Sequence, residues 1–246
     1  MLRFVYVIVM RTFSIIYYVP MMAHYAAHPD RYSEKECYAL ARKLMDKVRH
    51  TSRITTEYEG IENLPREDGY LLAANHQGKY DALGVILGHE RPCSVLMDAK
   101  RSRMPIAKQL VDMLKGKRIE KNSPRQQIRV LTEMAQEIGE GRNYLVFPEG
   151  GYGKKRDNSL GEFKYGCFVS AVKAKCPIVP VVLLDCYRPF GINSLRRVQT
   201  KVVYLPPIRY EEYEGKKPKE VCAMVRERIA AEIERQEKMR GKAEGA

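Results

Sequence analysis

His76 and Asp81 are set five positions apart in the segment Asn75-His76-Gln77-Gly78-Lys79-Tyr80-Asp81. In a short loop that spacing lets the carboxylate hold one imidazole nitrogen and leaves the other to take a proton from an alcohol. Two members of a Ser/His/Asp set are then present without the serine, so the nucleophile would be a hydroxyl of the substrate. The spacing alone is weak, because five histidines and eight aspartates in 246 residues make some such match unsurprising. Taken by itself, such a pair is more often a surface histidine beside a helix-capping aspartate. Position adds weight. The pair follows an apolar run, Tyr70 to Ala74, and a helical pattern begins at Asp81. Loops at the carboxyl ends of strands are where α/β proteins place their chemistry.

Further segments lie downstream in a fixed order. Phe147-Pro148-Glu149-Gly150 follows another apolar run, Asn143 to Phe147, and so should emerge on the same side of a sheet. Gly161-Glu162-Phe163-Lys164-Tyr165-Gly166 and Ile178-Val179-Pro180-Val181 come next. Together with the Asn-His-x4-Asp segment, these resemble the motifs of the lysophosphatidic acid acyltransferase family, the bacterial PlsC-like 1-acylglycerol-3-phosphate acyltransferases. The resemblance spans about residues 54 to 208.

The resemblance implies that His76 is the general base, that Asp81 orients it, and that Glu149 with Gly150 shapes the acceptor site. It implies transfer of a fatty acyl chain from a coenzyme A or acyl-carrier-protein thioester to the 2-hydroxyl of lysophosphatidate. A thioester is already activated, so a base and an oxyanion stabiliser suffice, with no cofactor and no metal. Lys100 and the backbone N–H groups near the helix start are candidates for the second role. Within Lys117-Arg118-Ile119-Glu120-Lys121, Lys121 aligns with the family's phosphate-binding arginine, and Arg118 could share its task. Lys164 matches the family's Phe-Lys-x-Gly as a phosphate or donor contact. Pro180 is read as structural, at an edge or bulge. The chain departs from the family after Glu149-Gly150, where Gly151-Tyr152-Gly153-Lys154-Lys155-Arg156 lacks the usual arginine. The basic residues there would supply charge from a flexible loop or touch lipid headgroups. Another lysolipid acceptor is therefore an alternative.

The pattern that must position these residues is α/β. Apolar runs at Ile54 to Tyr58, Tyr70 to Ala74, Cys93 to Met97, Asn143 to Phe147, Ile178 to Leu184 and Lys201 to Tyr204 alternate with helical stretches. That predicts a central, mostly parallel or mixed sheet flanked by helices. Helices are expected at about 82 to 89, 105 to 115, 124 to 139 and 165 to 175. Ser123 and Pro124 form a cap and first turn, and a last helix is expected from about Pro218 to Gln236 before a fraying tail. Ser33 caps a helix reaching Val48, with Leu40, Leu44 and Val48 on one face.

Residues 4 to 27 are apolar and aromatic but interrupted by Arg11 and Pro20, so the unbroken runs are too short to span a bilayer. They read as one or two helices lying in the interface, with Tyr6, Tyr17, Tyr18 and Tyr25 at headgroup depth. Residues 1–50 are thus expected to anchor a catalytic domain over 51–246 to the cytoplasmic face of the cell membrane. Forty-three basic against 30 acidic residues give a net charge of +13, which suits an anionic lipid surface. A non-catalytic protein binding lipid or nucleic acid also suits that charge, but not the ordered motifs, so no nucleic acid is expected. The six cysteines are too scattered for a zinc site or a disulfide framework and read as reduced thiols. His24, His28, His50 and His89 have no partner at useful spacing. Oligomeric state is left open.

Overall fold

A computed structural model describes residues 2–153 and 156–244. Lys154 and Lys155 lie outside the described residues. The chain opens with α1 (Leu2–Met10), α2 (Thr12–Ala27) and α3 (Glu34–Thr51), followed by β1 (Ile54–Glu59) and β2 (Leu71–Ala74). Then come α4 (Asp81–Gly88), β3 (Cys93–Asp98), α5 (Ala107–Met113), β4 (Lys117–Ile119), α6 (Pro124–Gly139) and β5 (Asn143–Val146). The last part holds α7 (Phe168–Ala174), β6 (Ile178–Leu184), a short α8 (Arg188–Gly191), β7 (Val198–Tyr204), a short α9 (Tyr210–Tyr213) and α10 (Pro218–Glu244).

The strands form one seven-stranded sheet in the order β1-β7-β6-β2-β5-β3-β4. Every pairing is parallel except β6 with β7, so the sheet is mixed, with helices on both faces. β2, β5 and β6 are buried along their whole length, which explains their uninterrupted apolar sequence. Alternation divides the core in two. Leu71, Ala73, Tyr144, Val146, Ile178 and Val182 pack with α6, α7 and α10. Leu72, Ala74, Leu145, Val179, Val181 and Leu183 pack with Tyr38, Ala41 and Met45 of α3 and with Val85 and Ile86 of α4.

Local sequence rules explain part of this and fail in instructive places. Ser33 caps α3 through a reciprocal pair with Glu36, Glu36 N–H donating to Ser33 Oγ and Ser33 N–H to Glu36 Oε2. The buried face of α3 is centred on Cys37, Tyr38, Ala41 and Met45, with Leu40 and Leu44 at its margin. Ser123 makes no cap bond; Gln127 instead holds the carbonyls of Glu120 and Lys121 ahead of α6. β4 was not expected: it is a three-residue edge strand of mostly charged sequence that pairs only with β3. Pro180 lies in an interior strand, not at an edge, opposite Ala73 of β2. It is tolerated because its nitrogen faces the gap between the β6–β7 ladder and the bridge at Ile178–Ile208, where Leu205 N–H donates to its carbonyl. α10 runs to Glu244, beyond the expected end at Gln236.

The first two helices meet at a bend of 77°. Among the described residues no single helix is long and apolar enough to cross a membrane, whereas the bent pair passes by length and composition only. Pro20 does not break α2, which continues through it. Arg11 marks the bend and turns inward, donating to Thr51 Oγ1 at 2.6 Å and to the Lys47 carbonyl at the end of α3. Arg3 is fully buried and donates to the carbonyls of Pro189 and Arg196. Leu2, Val5, Val9, Met10, Phe13, Ile16 and Tyr17 are left exposed. Tyr25 instead stacks on Tyr32 at 3.7 Å, and Tyr18 lies beneath the Lys47 ammonium.

Candidate active site

β2 ends at Ala74, and Asn75 fixes the loop that leaves it. The buried Asn75 amide exchanges two hydrogen bonds with the backbone of Leu183, 2.7 and 3.0 Å, locking the end of β2 to β6. His76 is thereby held at the carboxyl edge of the sheet. Its Nδ1 lies 2.7 Å from Oδ2 of Asp81, the first residue of α4. The same oxygen accepts from the N–H groups of Gln77 and Gly78, the latter at 2.8 Å. Asp81 is fully buried. The two backbone donors mark Oδ2 as an acceptor, so Nδ1 donates its hydrogen to it and, in the neutral imidazole, Nε2 is left as a base. The Gln77 and Gly78 N–H groups, just ahead of α4, are taken by Asp81 and are not free for an oxyanion.

Aromatic rings set the imidazole plane. Phe147, at the end of β5, stacks on it at 4.4 Å, and Tyr152 meets it edge-on at 4.9 Å. The His76 side chain remains 15% exposed, enough to admit a hydroxyl and little bulk water. Among the described residues no serine, threonine or cysteine hydrogen-bonds to its Nε2.

Glu149 braces the loop from behind. Its Oε1 accepts the His76 N–H at 2.8 Å and its Oε2 accepts the Gly161 N–H at 3.0 Å. Both oxygens are therefore engaged with backbone, and Glu149 shapes the site by tying the histidine loop to two parts of the long loop after β5. Burial raises its pKa, and the two N–H groups act against that rise. Gly161 must lack a side chain, since a Cβ there would stand 2.3 Å from Glu149 Oε2. Gly150 has φ +67, and the Lys164 stem crosses above it, with Nζ 3.4 Å from where a Cβ would be. Gly150 and Lys164 are thus brought together beside the brace, and Lys164 is exposed.

The other expected cations are placed differently. Lys100 is exposed at the start of the turn after β3. Arg118 lies in β4, three strand positions from β2, or about 14 Å at ordinary strand spacing. Its guanidinium is bound to Asp112 at 2.6 Å and to Ser102 Oγ at 3.1 Å. Lys121 is 3.7 Å from Asp98. The structure does not bring Arg118 to the histidine loop, because its own carboxylate partner holds it at the sheet edge.

Several contributors were missed. Gln77 Oε1 accepts from Cys186 N–H, and its amide donates to Asn158 Oδ1, which also accepts from Asp185 N–H. This buried set ties the histidine loop to the end of β6 and to the loop after β5. A neutral amide beside the motif histidine was the available signal. Arg101, whose guanidinium lies over the Tyr152 ring at 4.8 Å, had no sequence signal. Among the described residues no group of three or more His, Cys, Asp or Glu could hold a metal ion. All six cysteines are unpaired.

Known proteins share this architecture and these motifs. The acyltransferase family model matches residues 55–184. Among curated proteins, 1-acyl-sn-glycerol-3-phosphate acyltransferase alpha of Homo sapiens is 30% identical over 191 residues, covering 75% of this chain and 65% of that protein. The chloroplastic BAT2 enzyme of the same name from Brassica napus is 27% identical over 205 residues, covering 82% and 57%. The chain thus matches less than two thirds of the length of these relatives. Among solved structures, that of the 1-acyl-sn-glycerophosphate acyltransferase PlsC from Thermotoga maritima superposes with a TM-score of 0.77 at 20% identity, covering 96% of this chain and 95% of that one. That likeness shows the fold.

Proposed function

We propose, from the premise that this chain belongs to the acyltransferase family, that it moves a fatty acyl group from a thioester to the 2-hydroxyl of lysophosphatidate, forming phosphatidate. The observation that carries the reading is the His76–Asp81 pair at the end of β2, with Nδ1 held and Nε2 open. The family match and the names of the curated relatives support the substrate class.

His76 Nε2 accepts the proton of the 2-hydroxyl as that oxygen attacks the thioester carbonyl carbon. Asp81 fixes the ring and stabilises the imidazolium that forms. Collapse of the tetrahedral intermediate breaks the C–S bond, and the departing sulfur takes the proton back from His76. No acyl-enzyme intermediate is required, because among the described residues no protein nucleophile is bonded to the base. Lys100 is the candidate for stabilising the oxyanion, a role commonly worth about 3 kcal/mol. Gly150 and Lys164 form the candidate floor of the acceptor site. The donor is a thioester of coenzyme A or acyl-carrier protein, with no cofactor or metal taking part.

The enzyme works at the cytoplasmic face of the membrane. The exposed apolar side chains of α1 and α2 and the net charge of +13 support interfacial docking. Liposomes containing anionic lipid should carry the full chain upward in a flotation gradient, and removal of residues 1–27 should release it.

The decisive assay supplies purified protein with lysophosphatidate and a labelled acyl thioester. Labelled phosphatidate is expected, and its absence, with transfer to a different lysolipid, would move the acceptor assignment. Absence of all transfer together with tight, salt-sensitive binding of nucleic acid would replace the enzyme reading altogether.

A further inference from the structure

Two of the cations expected at the acceptor phosphate, Arg118 and Lys121, lie against carboxylates. Arg101 does not. Its backbone N–H binds Asp98, but among the described residues no carboxylate pairs with its guanidinium, which is exposed and lies on the Tyr152 ring at 4.8 Å. That ring in turn meets the His76 imidazole edge-on at 4.9 Å. Gly151, at φ +153, adopts a backbone that places Tyr152 across the histidine. A positive group is thus held one aromatic ring away from the proposed base, at the mouth of the site.

We infer that Arg101 is the acceptor-phosphate ligand of this chain and that Tyr152 is the positioning residue that delivers it. Tyr152 stands where the sequence departs from its family, and it brings in a guanidinium from the loop after β3. β3 is two strand positions from β2, about 10 Å. A glycerol 2-hydroxyl on Nε2 and a phosphomonoester on the adjoining carbon, with a hydrogen bond at each end, span a distance on the order of 10 Å. An arginine presents two parallel donors to such a phosphate, which Lys100 beside it cannot. The cation–π contact holds the guanidinium by its face and leaves its N–H edge free to bind. The inference rests on the acyl-transfer reading given above for its choice of acceptor.

The test compares Arg101→Met, Tyr152→Leu, Tyr152→Phe and the Arg101→Met/Tyr152→Leu double variant. Arg101→Met should raise KM for lysophosphatidate about tenfold or more, leave KM for the thioester unchanged and change kcat little. It should also erase the preference for lysophosphatidate over monoacylglycerol, which lacks the phosphate. In KM for lysophosphatidate, Tyr152→Leu should reproduce this effect, Tyr152→Phe should rescue it, and the double variant should be no worse than Arg101→Met alone, while kcat falls in Tyr152→Leu because the His76 ring loses its edge-on neighbour. An unchanged KM in Arg101→Met, a rise in thioester KM instead, or additive effects on the lysophosphatidate KM in the double variant would overturn the inference. Binding of lysophosphatidate in mixed detergent micelles by the parent and Arg101→Met separates this from the function itself. Tight binding by the parent, lost in Arg101→Met, supports the phosphate site even if no transfer occurs. Equal binding by both sinks the phosphate site while leaving acyl transfer standing, and a parent that neither binds nor acylates lysophosphatidate overturns both.

Discussion

Helix α4 has a histidine at each end, and the two live in opposite surroundings. His76, ahead of it, gives Nδ1 to a buried carboxylate and keeps Nε2 open at the sheet edge. His89, which follows the helix, is wholly buried and gives both nitrogens to phenols, Nε2 to Tyr70 Oη at 2.6 Å and Nδ1 to Tyr38 Oη at 3.2 Å. Burial holds His89 neutral, with its pKa lowered to about 4. The same side chain thus becomes a chemical group where one nitrogen is left over and a packing element where none is. Burial and saturation, more than spacing to an acid, separate the two.

The contrast has its largest consequence in rate. His76→Ala should lower acyl transfer by about 10³-fold or more, while urea midpoints stay close to the parent's. Asp81→Asn should cost somewhat less, because an amide oxygen in the place of Oδ2 can still accept from Gln77, Gly78 and His76, while the charge that stabilises the imidazolium is lost. Full activity in His76→Ala would remove the general base and, with it, the contrast. His89→Ala should show the reverse pattern, losing about 3 kcal/mol of folding stability as two buried phenols lose their partner and a cavity opens. Its turnover per folded molecule should remain near that of the parent, which active-site titration against a stability curve would check.

The next effect is a pH dependence confined to the buried histidine. An unfolded histidine titrates near 6.5, and in the folded protein His89 does so at about 4. Below 6.5 the unfolded chain binds a proton that the folded one refuses. Stability should therefore fall as pH drops from 6.5 towards 4, by about 2 kcal/mol at pH 5. Above 6.5 neither state is charged and the contribution is flat. Carboxylates with lowered pKa, such as Glu34 and Asp112, add their own loss at lower pH, so the difference between the parent and His89→Gln is the quantity to read. Equal slopes in the two proteins would mean that His89 is charged in the fold.

Much of this arrangement could be read from residue order, and the parts that could not share a cause. The strand, loop and helix around His76 follow from local pattern, as do the Ser33 cap and six of the seven strands. β4 escaped because three charged-rich residues at an edge carry no alternation. Asn75 and Gln77 find their partners on or just after β6, and Glu149 finds His76 across the sheet in the loop after β2, and no periodicity records a contact between distant segments. Arg11 reads as an interruption in an apolar stretch and Arg3 merely precedes it, whereas the fold uses both to fasten the bend and α1 to the body. A charge in an amphipathic segment can face lipid, solvent or a ring of carbonyls, and only the packing decides which.

The finest test of the contrast lies in two glycines. At Gly161 a Cβ would strike Glu149 Oε2 at 2.3 Å, and at Gly88 it would strike the Tyr58 ring at 2.4 Å beside His89. Both substitutions add one methyl group to a full space. Gly161→Ala pushes a carboxylate that braces the His76 loop, so it should cost about tenfold in rate, roughly 1.4 kcal/mol, with a smaller loss of stability. Gly88→Ala pushes a ring in the core, and its helical backbone already suits alanine, so it should cost about 1 kcal/mol of stability with turnover unchanged. Rates and unfolding curves for both variants then form a two-by-two comparison. A Gly88→Ala variant that slows turnover as much as Gly161→Ala would show that α4 transmits strain from one histidine to the other, and that the two ends of the helix are a single mechanical unit.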